Sequence, residues 1–145
     1  MGIRVGVLGV GPVGEHIVRV LRERSFPIDG DITIMATSER SEIIAGSAVS
    51  VRKVSADIFK GLDLVLFAGK EGAKGASMEW ADVAVKSGCV VIDNGGDLRM
   101  YPNIPLVVPE INMDAVTKDT RLICWQALQS LQLQGLHTCI AISTY

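Results

Sequence analysis

The sequence predicts a doubly wound, mainly parallel α/β sheet of Rossmann-like type, and three observations predict it. Apolar runs of strand length alternate with segments whose apolar residues recur at helical spacing. A Gly9-Val10-Gly11-Pro12-Val13-Gly14 turn joins the first run to the first helical segment with no spacer. The chain also combines 48% hydrophobic residues with 15 glycines, which suits a buried parallel sheet with tight turns better than a solvated bundle.

Taken in order, Ile3–Leu8 reads as a buried strand and Glu15–Leu21 as part of an amphipathic helix that follows the glycine turn. Phe26–Gly30 makes a turn, and Asp31–Ala36 reads as the second strand. Ala48–Val54 alternates with period two and predicts a half-exposed edge strand. Ser55–Phe59 is a short helical turn, and Leu62–Ala68 a buried strand ending at Gly69. From Gly75 to Ser87, Met78, Ala81 and Val85 follow helical spacing, and Gly88 closes the helix. Cys89–Asp93 is the next buried strand and stops at Asn94-Gly95-Gly96. Leu106–Val108 precedes Pro109, a brief helix lies around Met113 to Val116, and a further strand ends near Ile123. In such a sheet, ligands sit beyond the carboxyl ends of the strands, here at Gly9, Ala36, Ala68 and Asn94.

Composition narrows the function classes. At 145 residues the chain makes one domain, expected to span residues 1–145, with a substantial core. A net charge of −2 carries no basic excess, which argues against a nucleic-acid surface. No apolar run approaches the roughly 18 to 20 residues that cross a bilayer, and the opening strand does not read as a secretion signal. Cys89, Cys124 and Cys139 are odd in number and widely spaced in apolar settings, so they read as reduced cytoplasmic thiols. His16 and His137 are isolated, and no metal-binding spacing occurs.

The glycine turn is built for a pyrophosphate. Gly9 permits the tight turn, Gly11 lets backbone approach the phosphates, and Gly14 lets the helix pack on the strand. The helix then presents unpaired N–H groups and the positive end of its dipole. At the end of the second strand, the acidic residue typical of NAD sites is replaced by Ala36-Thr37-Ser38-Glu39-Arg40-Ser41. Two hydroxyls and a guanidinium suit the 2′-phosphate of NADP(H). The competing reading is a solvated β–α loop in which Arg40 pairs with Glu39 or Glu42.

The order of these pieces resembles the N-terminal domain of bacterial aspartate-semialdehyde dehydrogenases. The resemblance rests on the glycine turn, Arg22–Pro27, Thr37–Ser41, Phe67-Ala68-Gly69, Val91–Asn94 and above all the run Leu98–Asn112, with its arginine, Pro-bounded strand and Pro109-Glu110-Ile111-Asn112 corner. It is continuous over about residues 1 to 123 and resumes at Ile142–Tyr145. It implies NADPH-dependent reductive dephosphorylation of aspartyl phosphate through a cysteine thioester, in amino-acid biosynthesis. Matched by residue, Gly9, Val10, Gly11, Pro12, Val13 and Gly14 form the pyrophosphate turn, while Ser38, Arg40 and Ser41 meet the adenosine phosphate. Ala68 and Gly69 border the nicotinamide arm. Arg99 binds the substrate's phosphate with Asn94 beside it. For Arg99 alone, pairing with Asp97 is the plainer alternative.

The chain departs from the family in three ways. Its glycine turn is one residue shorter, with Val10 where a threonine is usual, and Gly95-Gly96 stands where two serines usually follow Asn94. An ungapped match places Leu128 at the nucleophile's position, and leucine forms no thioester. Cys124 lies about one helical turn earlier, and a buried, inert thiol is its preferred reading. The sequence also stops at Tyr145, where the resemblance implies a second, catalytic and dimer-forming domain. Uncovered apolar surface is then expected to favour self-association into a homo-oligomer.

Two function classes result. One is a semialdehyde dehydrogenase module whose remaining parts lie elsewhere; the other is an NADP(H)-binding or regulatory domain without turnover. An acylglutamyl-phosphate-reductase-like relative is a third, which the Pro109–Asn112 corner disfavours. All three take a small-molecule nucleotide, and the first also takes a phosphorylated amino acid.

Overall fold

β1 (Val5–Leu8) is buried along its whole length and takes parallel partners on both edges, so its apolar run is what a central strand requires. The computed structural model describes residues 2–72 and 75–125. After β1 come α1 (Pro12–Glu23), β2 (Thr33–Ala36), β3 (Arg40–Ile44), β4 (Ser47–Lys53) and α2 (Ala56–Phe59). β5 (Leu64–Phe67), α3 (Ala76–Lys86) and β6 (Val90–Asp93) follow. β7 (Leu106–Val107), α4 (Pro109–Asn112), a 3-10 turn (Met113–Ala115) and β8 (Leu122–Trp125) complete the described elements.

The strands form one sheet in the order β3-β4-β2-β1-β5-β6-β8-β7, parallel everywhere except the β3–β4 pair. Chain order reverses at β1, which pairs β2 on one side and β5 on the other. This switch point is where an open α/β sheet leaves a crevice beyond its strand ends.

Helices cover both faces. Ile17, Val18 and Leu21 of α1 pack with Val5, Val7, Leu64, Leu66 and Ile92. On the opposite face, Ala81 and Ala84 of α3 pack with Phe59, Val65, Phe67, Val91 and Cys124. Alternate residues of each strand thus feed opposite cores, which is why β1, β5 and β6 read as unbroken apolar runs. The expected doubly wound class is the one observed.

One element differs from the sequence reading. The strand over Ser47–Lys53 is half exposed as expected, yet it is not at the edge of the sheet, because β3 pairs antiparallel outside it. The two strands form a hairpin with Ile44 opposite Ser47, turning through Ala45 (φ 50°) and Gly46 (φ 78°). Positive φ at both central residues is the twist-matched two-residue turn, usually announced by Asn-Gly or Asp-Gly. Alanine at the first position hides that signal. Arg40 and Ser41 therefore lie on a strand rather than in a loop.

Candidate functional site: a glycine turn and an arginine loop at the strand ends

The three glycines of the turn have separable reasons to be glycine. Gly9 has φ of 122°, its N–H donates to the Met35 carbonyl at 2.9 Å, and a side chain there would strike the Ala68 carbonyl. A Cβ on Gly14 would strike the Gly9 carbonyl. Both are demanded by the fold. Gly11 is different: its φ is −72° and an added Cβ would meet nothing within 4 Å. Neither backbone nor packing requires glycine at this position. It borders open space at the start of α1, which no side chain caps and which carries Pro12 in its first turn. The remaining first-turn amides of such a helix face outward as anion donors. Val10 packs against the α1-side core, whereas Val13 is 45% exposed beside the opening.

Across the switch point, the Ala68 N–H donates to the Leu8 carbonyl at 2.8 Å, so Ala68 and Gly69 sit against the glycine turn. A Cβ on Gly69 would fall 2.5 Å from the Ala76 Cβ, so this glycine lets α3 begin close to the sheet. On the other side, Arg40 Nε donates to Glu42 Oε2 at 2.9 Å, and Nη1 donates to Ser38 Oγ at 3.2 Å and to the Ser38 carbonyl at 3.4 Å. Of the two carboxylates named as partners in the alternative reading, Glu42 is the one engaged. Ser41, the next residue along the strand, is exposed.

The second half of the site is the loop after β6. Arg99 Nε donates to the Gly95 carbonyl at 3.0 Å and Nη2 to the Asn94 carbonyl at 3.3 Å. Asp97 instead accepts the Gly72 N–H, at 2.8 Å to its nearer oxygen, so it is not the partner of Arg99 that the sequence offered. In return, Gly96 N–H donates to Glu71 Oε1 at 2.7 Å. Two carboxylates thus tie the segment after β5 to the segment after β6, and the arginine lies on the tied loop.

Asp93 and Ser77 belong to this site and were not singled out in the sequence. Asp93 ends β6 fully buried, and its Oδ1 accepts from Ser77 Oγ at 2.6 Å and from Gly95 N–H at 2.9 Å. Its Oδ2 is buried with no hydrogen-bond partner. Burial raises the carboxyl's pKa above its ordinary value, against the lowering effect of the Ser77 and Gly95 hydrogen bonds. An aspartate closing an otherwise apolar strand was the available signal.

Cys124 stands opposite Asp93 in the β6–β8 register and is fully buried. Burial first, and the Asp93 charge second, push its thiol pKa up to about 11, the reverse of what activates a thiolate nucleophile. Leu128, at the nucleophile's position in the resemblance, lies outside the described residues, as do Cys139, His137 and Ile142–Tyr145. Among the described residues, no group of three or more His, Cys, Asp or Glu could hold a metal ion, and no helix is long and apolar enough to cross a membrane. A groove of about 820 Å³ runs beside α3, lined by Ala81, Val85, Leu98, Tyr101 and Leu122, on the α3 face and away from the glycine turn.

Comparison with known proteins agrees with this geometry. A family model described as semialdehyde dehydrogenase, NAD binding domain, matches residues 4–119. The chain is 41% identical over 122 residues to an aspartate-semialdehyde dehydrogenase of Aquifex aeolicus, covering 80% of this chain and 34% of that protein. It is 38% identical to the enzyme of the same name from Prochlorococcus marinus, covering 99% of this chain and 44% of that one. The crystal structure of aspartate semialdehyde dehydrogenase II from Vibrio cholerae, complexed with ASA, superposes with a TM-score of 0.73 at 34% identity, over 86% of this chain and 42% of that one. The chain spans less than half the length of each of these relatives. With the family model covering most of its residues and the glycine turn, switch point and arginine loop in place, the chain belongs to the semialdehyde dehydrogenase family and carries its NAD-binding domain.

Proposed function

We propose that this chain, residues 1–145, is the NADP(H)-binding domain of an aspartate-semialdehyde dehydrogenase, and that alone it binds cofactor without turning over substrate. The observation that carries the reading is Gly11, which is glycine where no feature of the fold demands it and where a side chain would fill the approach to the helix amides. The residues present fit a dinucleotide: Gly9 to Gly14 and the α1 amides take the pyrophosphate, and Ala68 and Gly69 border the nicotinamide arm. Ser38 and Arg40, which hydrogen-bond each other, take the 2′-phosphate, which selects NADP over NAD, while the Ser41 side chain falls on the other face of β3. When bound, NADPH supplies the hydride that reduces an acyl group to an aldehyde.

Arg99 receives the phosphate of aspartyl phosphate, with Asn94 beside it. Three guanidinium N–H groups remain after its two carbonyl bonds, enough for a bidentate grip on an oxyanion. The absence of turnover follows from Cys124, a buried thiol with a raised pKa. Exposed Met100, Tyr101 and Ile111 support self-association of the chain, and the two free buried thiols Cys89 and Cys124 support a cytoplasmic setting.

Calorimetric titration of the chain with NADP and with NAD tests the reading. Saturable binding with NADP the tighter ligand is expected. No binding of either nucleotide overturns it.

A further inference from the structure

We propose that Asp93 is a positioning residue for Arg99, holding the guanidinium in its phosphate-facing pose through the Asn94–Gly95 peptide group. This rests on the reading that Arg99 receives a phosphate, and adds to it the group that fixes the geometry. The hydrogen bonds run in one unbroken series. Ser77 Oγ, in the first turn of α3, donates to Asp93 Oδ1; Gly95 N–H donates to the same oxygen; and the Asn94 carbonyl, in the same peptide group as that N–H, accepts from Arg99 Nη2. The Gly95 carbonyl, in the next peptide group, accepts from Arg99 Nε. Two of the five guanidinium N–H groups are therefore held by successive peptide groups, the first of which Asp93 fixes directly.

A second observation is the tightness of the site. A Cβ on Gly95 would lie 3.1 Å from Asp93 Oδ1 and 3.3 Å from Ser77 Oγ, so the loop is seated directly on this pair. A third is energetic. Asp93 is fully buried with Oδ2 unpartnered, a position where a smaller or apolar residue would fold more easily. Groups that break the burial rules in this way concentrate where geometry must be held for a ligand. No side-chain hydrogen bond caps α3, so the carboxylate does not serve that helix end, and the Gly95 bond ties it to the arginine loop.

The test uses the full chain, inorganic phosphate as probe, and NADP as an internal control. Phosphate affinity is measured for wild type and for Arg99→Ala, Asp93→Val, Asp93→Asn and Ser77→Ala. Asp93→Val is expected to weaken phosphate about tenfold with NADP affinity unchanged, the scale of losing one well-formed polar constraint. Asp93→Asn keeps an amide oxygen for both donors and stays within about threefold of wild type. The Arg99 Nε–H resonance shifts in Asp93→Val and holds its position in Asp93→Asn. If Asp93→Val does not fold, Ser77→Ala serves: it leaves the carboxylate but frees it on one side, and a loss of phosphate affinity with unchanged NADP affinity supports the proposal.

Phosphate and NADP affinities falling in parallel overturn the proposal in favour of a purely structural role, as does wild-type phosphate affinity in Asp93→Val or in Ser77→Ala. A wild type that ignores phosphate, or an Arg99→Ala variant that binds it normally, overturns the reading of Arg99 itself, and the positioning role falls with it.

Discussion

Arg40 and Glu42 sit two residues apart on β3, and the Arg40 Nε–H donates to the Glu42 carboxylate at 2.9 Å, with both side chains 38% exposed. Side chains two apart on a strand share a face, so this pairing is built into the register. The carboxylate occupies the donor face that an adenosine 2′-phosphate would use. Arg40→Ala should weaken NADP about tenfold while leaving NAD nearly unchanged, the scale of a charge-assisted contact. Glu42→Gln should strengthen NADP by about threefold, since an exposed ion pair gives up its partner easily. Calorimetry with both nucleotides measures this; equal losses for NADP and NAD in Arg40→Ala would remove the 2′-phosphate assignment.

The glycine turn separates folding from binding. Gly14→Ala and Gly9→Ala both drive a Cβ into backbone carbonyls and should destabilise the chain by roughly 2 kcal/mol or more. Gly11→Ala, with space around it and an ordinary φ, should melt near the wild-type temperature yet bind nucleotide at least about tenfold more weakly. Thermal melts beside titrations of the three variants read the two effects independently. A Gly11→Ala protein with normal affinity would show that the turn does not approach a phosphate.

Cys89 and Cys124 are fully buried, and burial raises both thiols to about 11. Cys89 Sγ also lies 3.2 Å from the Phe59 carbonyl, which accepts its S–H. In the folded chain at neutral pH neither should react with iodoacetamide on the timescale that modifies an exposed thiol, and both should react in denaturant. Peptide mass spectrometry after timed alkylation checks this. The chain should likewise show no NADP reduction with aspartate semialdehyde and phosphate. Turnover that disappeared in Cys124→Ser would make that thiol the nucleophile.

Two aspartates should tilt the stability–pH curve in opposite directions. Asp93 has a folded pKa above its ordinary 3.8, because burial disfavours its charged form. The folded chain therefore holds that proton more tightly, and the resulting stability is complete below the unfolded value and is lost as pH rises through the folded one. Asp93→Asn should thus be at least as stable as wild type at pH 7, with the difference closing towards pH 3. Asp63 is lowered instead, mainly by the hydrogen bond from Arg4. Its contribution is present above the unfolded value and is lost as pH falls through the folded one. Asp63→Asn should melt below wild type at pH 7, with the gap vanishing in acid. Melting temperatures across that range decide both signs.

Much of this was legible in the residues because the central strands are buried on both faces. Val5–Leu8, Leu64–Phe67 and Val90–Asp93 carry no competing periodicity, and each is followed within two residues by a glycine, which also marks the strand ends of the site. The glycine turn was readable for the same local reason. What stayed hidden depended on contacts far apart in sequence or on an atypical turn residue. Ala45 conceals the hairpin that carries Arg40. Ser77 meets Asp93 only because α3 returns over β6. The Glu71–Gly96 and Asp97–Gly72 ties span 25 residues each, and no local pattern announces them.

The strand order has a consequence for synthesis. β1 is made before both of its neighbours, and the second of them, β5, is complete only at Phe67. Until then an edge of this apolar strand is open to misplaced pairing, and parallel partners so distant in sequence assemble slowly. Nascent chains halted before Phe67 should therefore associate with holdase chaperones, and chains halted well beyond it should resist protease.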